Sequence, residues 1–435
     1  MVVAAPVPPL APHPLLVFLA GLSALLLTAR LLGALAQRVG LPAIVGELLT
    51  GLVLGPSLLG HLAPAVSAWL LPADAPEQIH LLDAVGQFGV IALVGITGSQ
   101  LDLGMLRRRG RSAMVVSAFG LAVPLILGIA LGAVLPASLM SAGPGHRWIF
   151  ALFLGVAMCV SAIPVIAKTL SDMGLLHRDI GQLTLAAGMV DDAVGWFLLT
   201  IVAAAAGPGV GAGQVGRSVG YLVAFVVLAA TVGLSLVRRA MRAAARSADS
   251  GPTVATAVVI ILLGATITHA LGMEPIFGAF VAGILVGAPG AADRRKLAAL
   301  RTVVLSVLAP VFLASAGLRM DLGTLIHPTV ALAAAAVLAV AIVGKFAGAY
   351  LGARTSHLTP WEGLALGAGM NARGVVEIIV ALTGLRLGVL NTAAYTTIAL
   401  VAIVTSLMAP ALLRRAMKHI EHTDDERSRL DPPPS

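Results

Sequence analysis

The sequence has little charge. Asp, Glu, Lys and Arg make up 11% of its 435 residues, hydrophobic residues make up 58%, and mean hydropathy is +0.99. Soluble domains carry about a quarter charged residues, so an ordinary soluble enzyme is excluded and a polytopic helical membrane protein is implied. Cysteine is almost missing. Cys159 stands alone in an apolar stretch, which excludes a disulfide or thiolate–metal framework within the chain. There is no Walker loop, so ATP-driven transport by this chain is not expected, and no His/Cys group has metal-ligand spacing. Gly51–Gly55 has no βαβ unit around it and is no dinucleotide fingerprint. No cofactor is expected, and no nucleophile–base constellation points to an enzyme. Residues 1–13 hold no Lys or Arg and so lack the n-region of a cleaved signal peptide. Lysine is confined to Lys168, Lys296, Lys345 and Lys418, and two of these, Lys168 and Lys345, fall inside hydrophobic segments.

Hydrophobic runs and their breakers predict thirteen spans, near 14–37, 42–60, 79–100, 112–136, 148–171, 180–205, 217–237, 253–271, 275–288, 300–318, 328–352, 361–385 and 393–413. The ninth is short enough to be partly re-entrant. Threading the spans alternately puts 20 of the 28 basic residues in loops on one side, four on the other and four within spans. Basic loops face the cytoplasm, so residues 1–13 are expected outside and the tail 414–435 inside. The net charge of +8 is thus a topology signal in contact with the bilayer, and nucleic acid is not an expected partner.

Two aspartates, Asp191 and Asp192, lie about 17 Å along the sixth span, near mid-membrane. A buried carboxylate there is costly, and it marks an ion or proton pathway unless a structural polar network holds it. Lys345, about eight residues from the cytoplasmic end of span 11, lies at a depth compatible with pairing to Asp191. That pairing leaves Asp192 for a substrate ion. The alternative is a Lys345 that snorkels to the interface.

The chain also repeats. Pro42–Gly55 resembles Glu274–Gly287, and Gln100–Leu106 resembles Arg319–Leu325. The offset is seven spans, and an odd shift reverses orientation. The expected architecture is therefore an all-α polytopic membrane protein of about 13 transmembrane helices. It would form two inverted repeats, about 14–205 and 253–413, joined by a connector at 217–237. Spans 5 and 12 then correspond, and both are interrupted. Pro164 breaks the first, and Gly367–Gly374, with Asn371 and Arg373, unwinds the second. Two crossed discontinuous helices at mid-membrane would expose carbonyls and helix ends to a cation. Arg373 and Glu377 are four apart, and Lys168 takes the comparable place after Pro164, so these charges are expected to neutralise half-helix ends. Glu47 either lines a cavity or binds a neighbouring backbone group. His80, His269 and Glu274 fall near span ends.

Gly51–Ser57, Ser161–Val165, Asp191–Asp192, Lys345 and Asn371–Gly374, in this order across residues 14–413, resemble the monovalent cation:proton antiporter family, with its sodium/hydrogen exchanger-like fold. The resemblance implies a core domain with crossed broken helices, a dimerisation domain and hence a homodimer in the inner (plasma) membrane. It makes Asp192 the residue that binds the transported Na⁺ and the proton, and Asp191 the partner of Lys345. Paired aspartates with the Lys345 lysine resemble the electrogenic branch. Ser161 and Asn371 would add neutral oxygens, and Pro164 and Gly374 would shape the breaks. Spans 3–6 and 10–12 would move against spans 1, 2, 8 and 9. Potassium-efflux relatives carry a long cytoplasmic nucleotide-binding domain, and the short tail here implies none. The substrates are then Na⁺ or K⁺ and H⁺. A K⁺/H⁺ exchanger, a cation channel and a non-transporting sensor are the alternatives.

Overall fold

A computed structural model describes residues 11–72, 76–101, 103–141, 147–206, 212–291, 295–423 and 426. Asp102 of the first repeat motif, Arg294, and the tail residues Arg427 and Arg429 lie outside the described residues.

In lipid each backbone polar group must be satisfied internally, and the described residues are almost wholly helical. A helix lies at each of the thirteen expected positions. These are α1 (Pro12–Arg38), α2 (Ala43–Leu62), α3 (Pro76–Ser99), α4 (Leu103–Val134), the two pieces α5a (Arg147–Cys159) and α5b (Ile163–Asp172), and α6 (Asp179–Ala205). They continue with α7 (Gly216–Ala244), α8 (Gly251–Ala270), α9 (Pro275–Gly287), α10 (Ala298–Gly317), α11 (Pro328–Thr355), the pieces α12a (Pro360–Met370) and α12b (Val375–Arg386), and α13 (Thr392–Met417). Eleven of the described helices are long and apolar enough to cross a bilayer, and the bent pair α12a–α12b makes up to twelve. The 13 residues of α9 extend about 20 Å, short of a bilayer core of about 30 Å. Length and composition therefore support eleven or twelve full spans and a shorter ninth element.

The helices pack as two bundles. The core bundle holds α4, α5a, α5b, α6, α11, α12a, α12b and α13. The scaffold bundle holds α1, α2, α3, α8, α9 and α10, and α7 lies along α6, α8 and α9. This differs from the expectation that spans 3 and 10 move with the core. Their small residues face the scaffold instead. A Cβ on Gly283 of α9 would stand 2.0 Å from the Gly95 carbonyl oxygen of α3, so those backbones touch. The same device seals the core. A Cβ on Gly348 of α11 would lie 2.4 Å from the Phe119 carbonyl oxygen of α4, and this approach carries Lys345 into the bundle centre.

Candidate ion site at the broken helices

Both interruptions are real breaks in the helical ladder, and they meet. α5a ends at Cys159, Val160–Ala162 are non-helical, and Pro164 sits in the first turn of α5b, where its missing N–H costs nothing. α12a ends at Met370, residues 372–374 are non-helical, and the two halves are bent by 49°. Across the crossing, the Ala162 amide donates to the Ala372 carbonyl at 3.3 Å and the Ser161 hydroxyl reaches the Met370 carbonyl at 2.9 Å.

A helix that stops at mid-membrane leaves its last carbonyls without partners and its C-terminal end partly negative. Two cations occupy that end of α5a. Arg373 donates to the carbonyls of Ala157 at 2.9 Å and Met158 at 2.6 Å, and also to Ala341 at 3.0 Å on α11. Lys345 donates to Cys159 at 2.6 Å and to Gly120 on α4 at 3.0 Å. Arg373 is held in turn by Glu377 at 3.3 Å, one helical turn on, and the Ser406 hydroxyl bonds its carbonyl. All of these side chains are buried.

Asp191 is fully enclosed in hydrogen bonds. Lys345 Nζ lies 2.7 Å from its Oδ2, with both side chains at 0% exposure. Ser161 Oγ lies 2.8 Å from the same oxygen, and Ser117 Oγ donates to Oδ1 at 2.6 Å. The hydroxyl of Ser161 has one proton to share between Asp191 and Met370. Asp192 differs in its partners. It is equally buried, yet neither carboxylate oxygen has a hydrogen-bond partner among the described residues. Its side faces the first break. One turn below, Gly188 packs against Ile163 and Ile166, and three residues above, Gly195 packs against Val160. The backbone amide of Ile163, at the start of α5b, is close to the carboxylate without meeting hydrogen-bond geometry. Asn371 is in the same condition at the second break, with both side-chain polar atoms buried and unpartnered.

The expected site residues thus separate. Asp191, Asp192, Ser161, Lys345, Asn371, Arg373, Gly374 and Glu377 come together at or beside the crossing, and Pro164 opens α5b there. Ser161 lies against Asp191 rather than Asp192. Lys168 is elsewhere. Its side chain is 47% exposed and paired to Asp172 at 2.6 Å, because a partner four residues on competes with any half-helix end. Ser117 is a site residue that carries no signal in the sequence. A lone serine in an apolar span has no spacing signal, and only the α4–α11 glycine contact shows why it faces Lys345 and Asp191.

On the side that carries Arg38 and Arg178, a cavity of about 450 Å³ opens between the two bundles. Its walls come from α1, α2, α3 and α10 on the scaffold and α5b and α12b on the core, and Pro164, Val165 and Val375 bring it to the edge of the crossing. On the opposite side the bundles touch. Trp196, one turn beyond Asp192, meets Phe280 of α9 with ring centroids 6.3 Å apart. Arg386 of α12b reaches Glu274 at 3.7 Å and Gln87 at 3.3 Å. Burial raises the Glu274 carboxyl above its ordinary range, opposed by Arg386 and His269. Among the described residues no group of three His, Cys, Asp or Glu could hold a metal ion.

Comparison with known proteins identifies the family and supports the fold. The family described as "Sodium/hydrogen exchanger, transmembrane" matches residues 23–419. The chain is 32% identical over 400 residues to the Na(+)/H(+) antiporter NhaS4 of Synechocystis sp., covering 92% of this chain and 97% of that one. It is 29% identical over 395 residues to the Na(+)/H(+)-K(+) antiporter GerN of Bacillus cereus, covering 90% and 94%. Among solved structures it superposes on the sodium proton antiporter MjNhaP1 of Methanocaldococcus jannaschii with a TM-score of 0.69 at 18% identity, covering 93% of this chain and 99% of that one, a likeness of fold. The chain is a transporter rather than an enzyme, and it belongs to the sodium/hydrogen exchanger family of monovalent cation:proton antiporters.

Proposed function

We propose that the protein exchanges Na⁺, or K⁺ in its place, for H⁺ at Asp192, by alternating access between the core and scaffold bundles. The carrying observation is the contrast on α6: among the described residues Asp191 has three hydrogen-bond partners, and Asp192 has none. A buried carboxylate without a partner is stable only when a proton or a cation neutralises it. The two therefore compete. A cation arriving at Asp192 displaces the proton, which leaves by the same open side. Asn371 offers an amide oxygen, and the unwound turns offer carbonyls, the neutral donors that hard cations take.

Lys345 couples the site to the helix breaks. It balances Asp191 and the negative end of α5a together, so a second positive charge at Asp192 weakens its hold. The proton it then releases is the basis of an electrogenic cycle. Core and scaffold each take three spans from either side of α7, as expected for inverted repeats. The cavity between them would face the cytoplasm, with Trp196–Phe280 and Arg386–Glu274 closing the outer side. By this reading the protein is a homodimer in the inner membrane, with its N-terminus outside.

The test is reconstitution of the purified protein in liposomes carrying a preset pH gradient. Addition of Na⁺, K⁺ or Li⁺ should collapse the gradient with saturation, and the order of half-saturating concentrations names the substrate. If no cation collapses it, the reading fails. Cation current without proton movement would make the protein a channel.

A further inference from the structure

Glu47 of α2 is a buried carboxylate that the crossing does not use. It is 8% exposed, forms no hydrogen bond or ion pair among the described residues, and lines the 450 Å³ cavity. We infer that Glu47 is a scaffold-side station for the monovalent cation, which it meets on the way between the cavity mouth and Asp192. This rests on the proposed exchange at Asp192.

Three observations carry the inference. The first is charge. The other ionisable groups on the cavity wall, among the described residues, are Arg30 of α1, Lys168 of α5b and Arg301 of α10. Lys168 is offset by Asp172, but Arg30 and Arg301 make the cavity repel the ions it must admit. Among the described residues that line it, Glu47 is the one carboxylate, with Arg30 as the nearby opposite charge. The second is room. At about 30 Å³ per water, 450 Å³ holds roughly fifteen waters, enough for a hydrated ion, and Thr97 and Gln100 add neutral oxygens beside it. The third is position. Ile44, one turn before Glu47, stands 3.4 Å from where a Cβ on Gly374 would be, so this face of α2 abuts the second break. Glu47 thus sits on the scaffold while Asp192 sits on the core, and bundle movement changes the distance between them. A cation held loosely at Glu47 is handed to Asp192 when the cavity is open to it.

The test compares wild type, Glu47→Gln and Glu47→Asp in the liposome exchange assay, with cation presented from the cavity side. Glu47→Gln keeps the shape and removes the charge, so it should raise the half-saturating cation concentration roughly tenfold, while the maximal rate stays near wild type. Glu47→Asp should return most of that affinity. Cation-induced thermal stabilisation of each purified variant should shift to higher concentration in the same order. An unchanged half-saturation in Glu47→Gln overturns the inference, as does Glu47→Asp failing as badly as Glu47→Gln, which marks a packing role. Both results leave wild-type exchange intact, so they are distinct from failure of the Asp192 reading, in which wild type itself would show no exchange.

Discussion

Asp191 and Asp192 are neighbours on one helix and occupy opposite environments. Around Asp191, three elements converge on one charge: Lys345 from α11, Ser117 from α4 and Ser161 from the first break. Around Asp192 the same depth of burial comes with no hydrogen-bond partner among the described residues. Neighbours on a helix point about 100° apart, so a single turn of α6 presents one carboxylate to the packed core and the other to the crossing. The difference separates holding the structure from using it. A charge with every bond satisfied resists change, whereas a charge with none is available to whichever cation arrives.

The contrast predicts opposite responses to the same chemical change. Asp191→Asn should strand the Lys345 ammonium and destabilise the protein by about 3–5 kcal/mol, seen as a large fall in the thermal midpoint of the purified protein. Combining it with Lys345→Met should recover much of that loss, since the pair is then replaced rather than broken. No recovery would mean that Lys345 serves mainly the α5a carbonyls. Ser117→Ala removes one bond to a charged group and should cost about 1.5–3 kcal/mol, with exchange slowed but present. A Ser117→Ala protein as stable as wild type would weaken the claim that α4 takes part. The smallest effect is expected at Lys168, whose exposed pair with Asp172 is worth about 0.3–0.5 kcal/mol. Lys168→Ala should leave both stability and exchange within error, and a large loss of exchange would return Lys168 to the machinery.

Much of this arrangement is legible in the sequence. Charges inside apolar spans are few, so Lys345, Asp191 and Asp192 had few possible partners, and Asn371 among glycines announced an unwound turn. What was not legible depended on which face of a helix meets which neighbour. Ser117 is one serine in an apolar run, visible only once Gly344, Gly348 and Gly352 bring α11 against α4. Ser161 was expected at the ion and lies on Asp191, a choice set by the rotation of α6 rather than by spacing. Lys168 had a local partner in its own sequence, four residues on, and the analogy with Arg373 hid it. Spans 3 and 10 joined the scaffold because their glycines face it, which motif order does not reveal.

The most direct test of the division between the two aspartates is one variant read two ways. Asp192→Asn should reduce cation-dependent collapse of the pH gradient to the level of empty liposomes, while its thermal midpoint stays equal to or above wild type, because Asn is neutral without needing the proton or cation that the buried carboxylate requires. Exchange at the wild-type rate in Asp192→Asn would contradict the account.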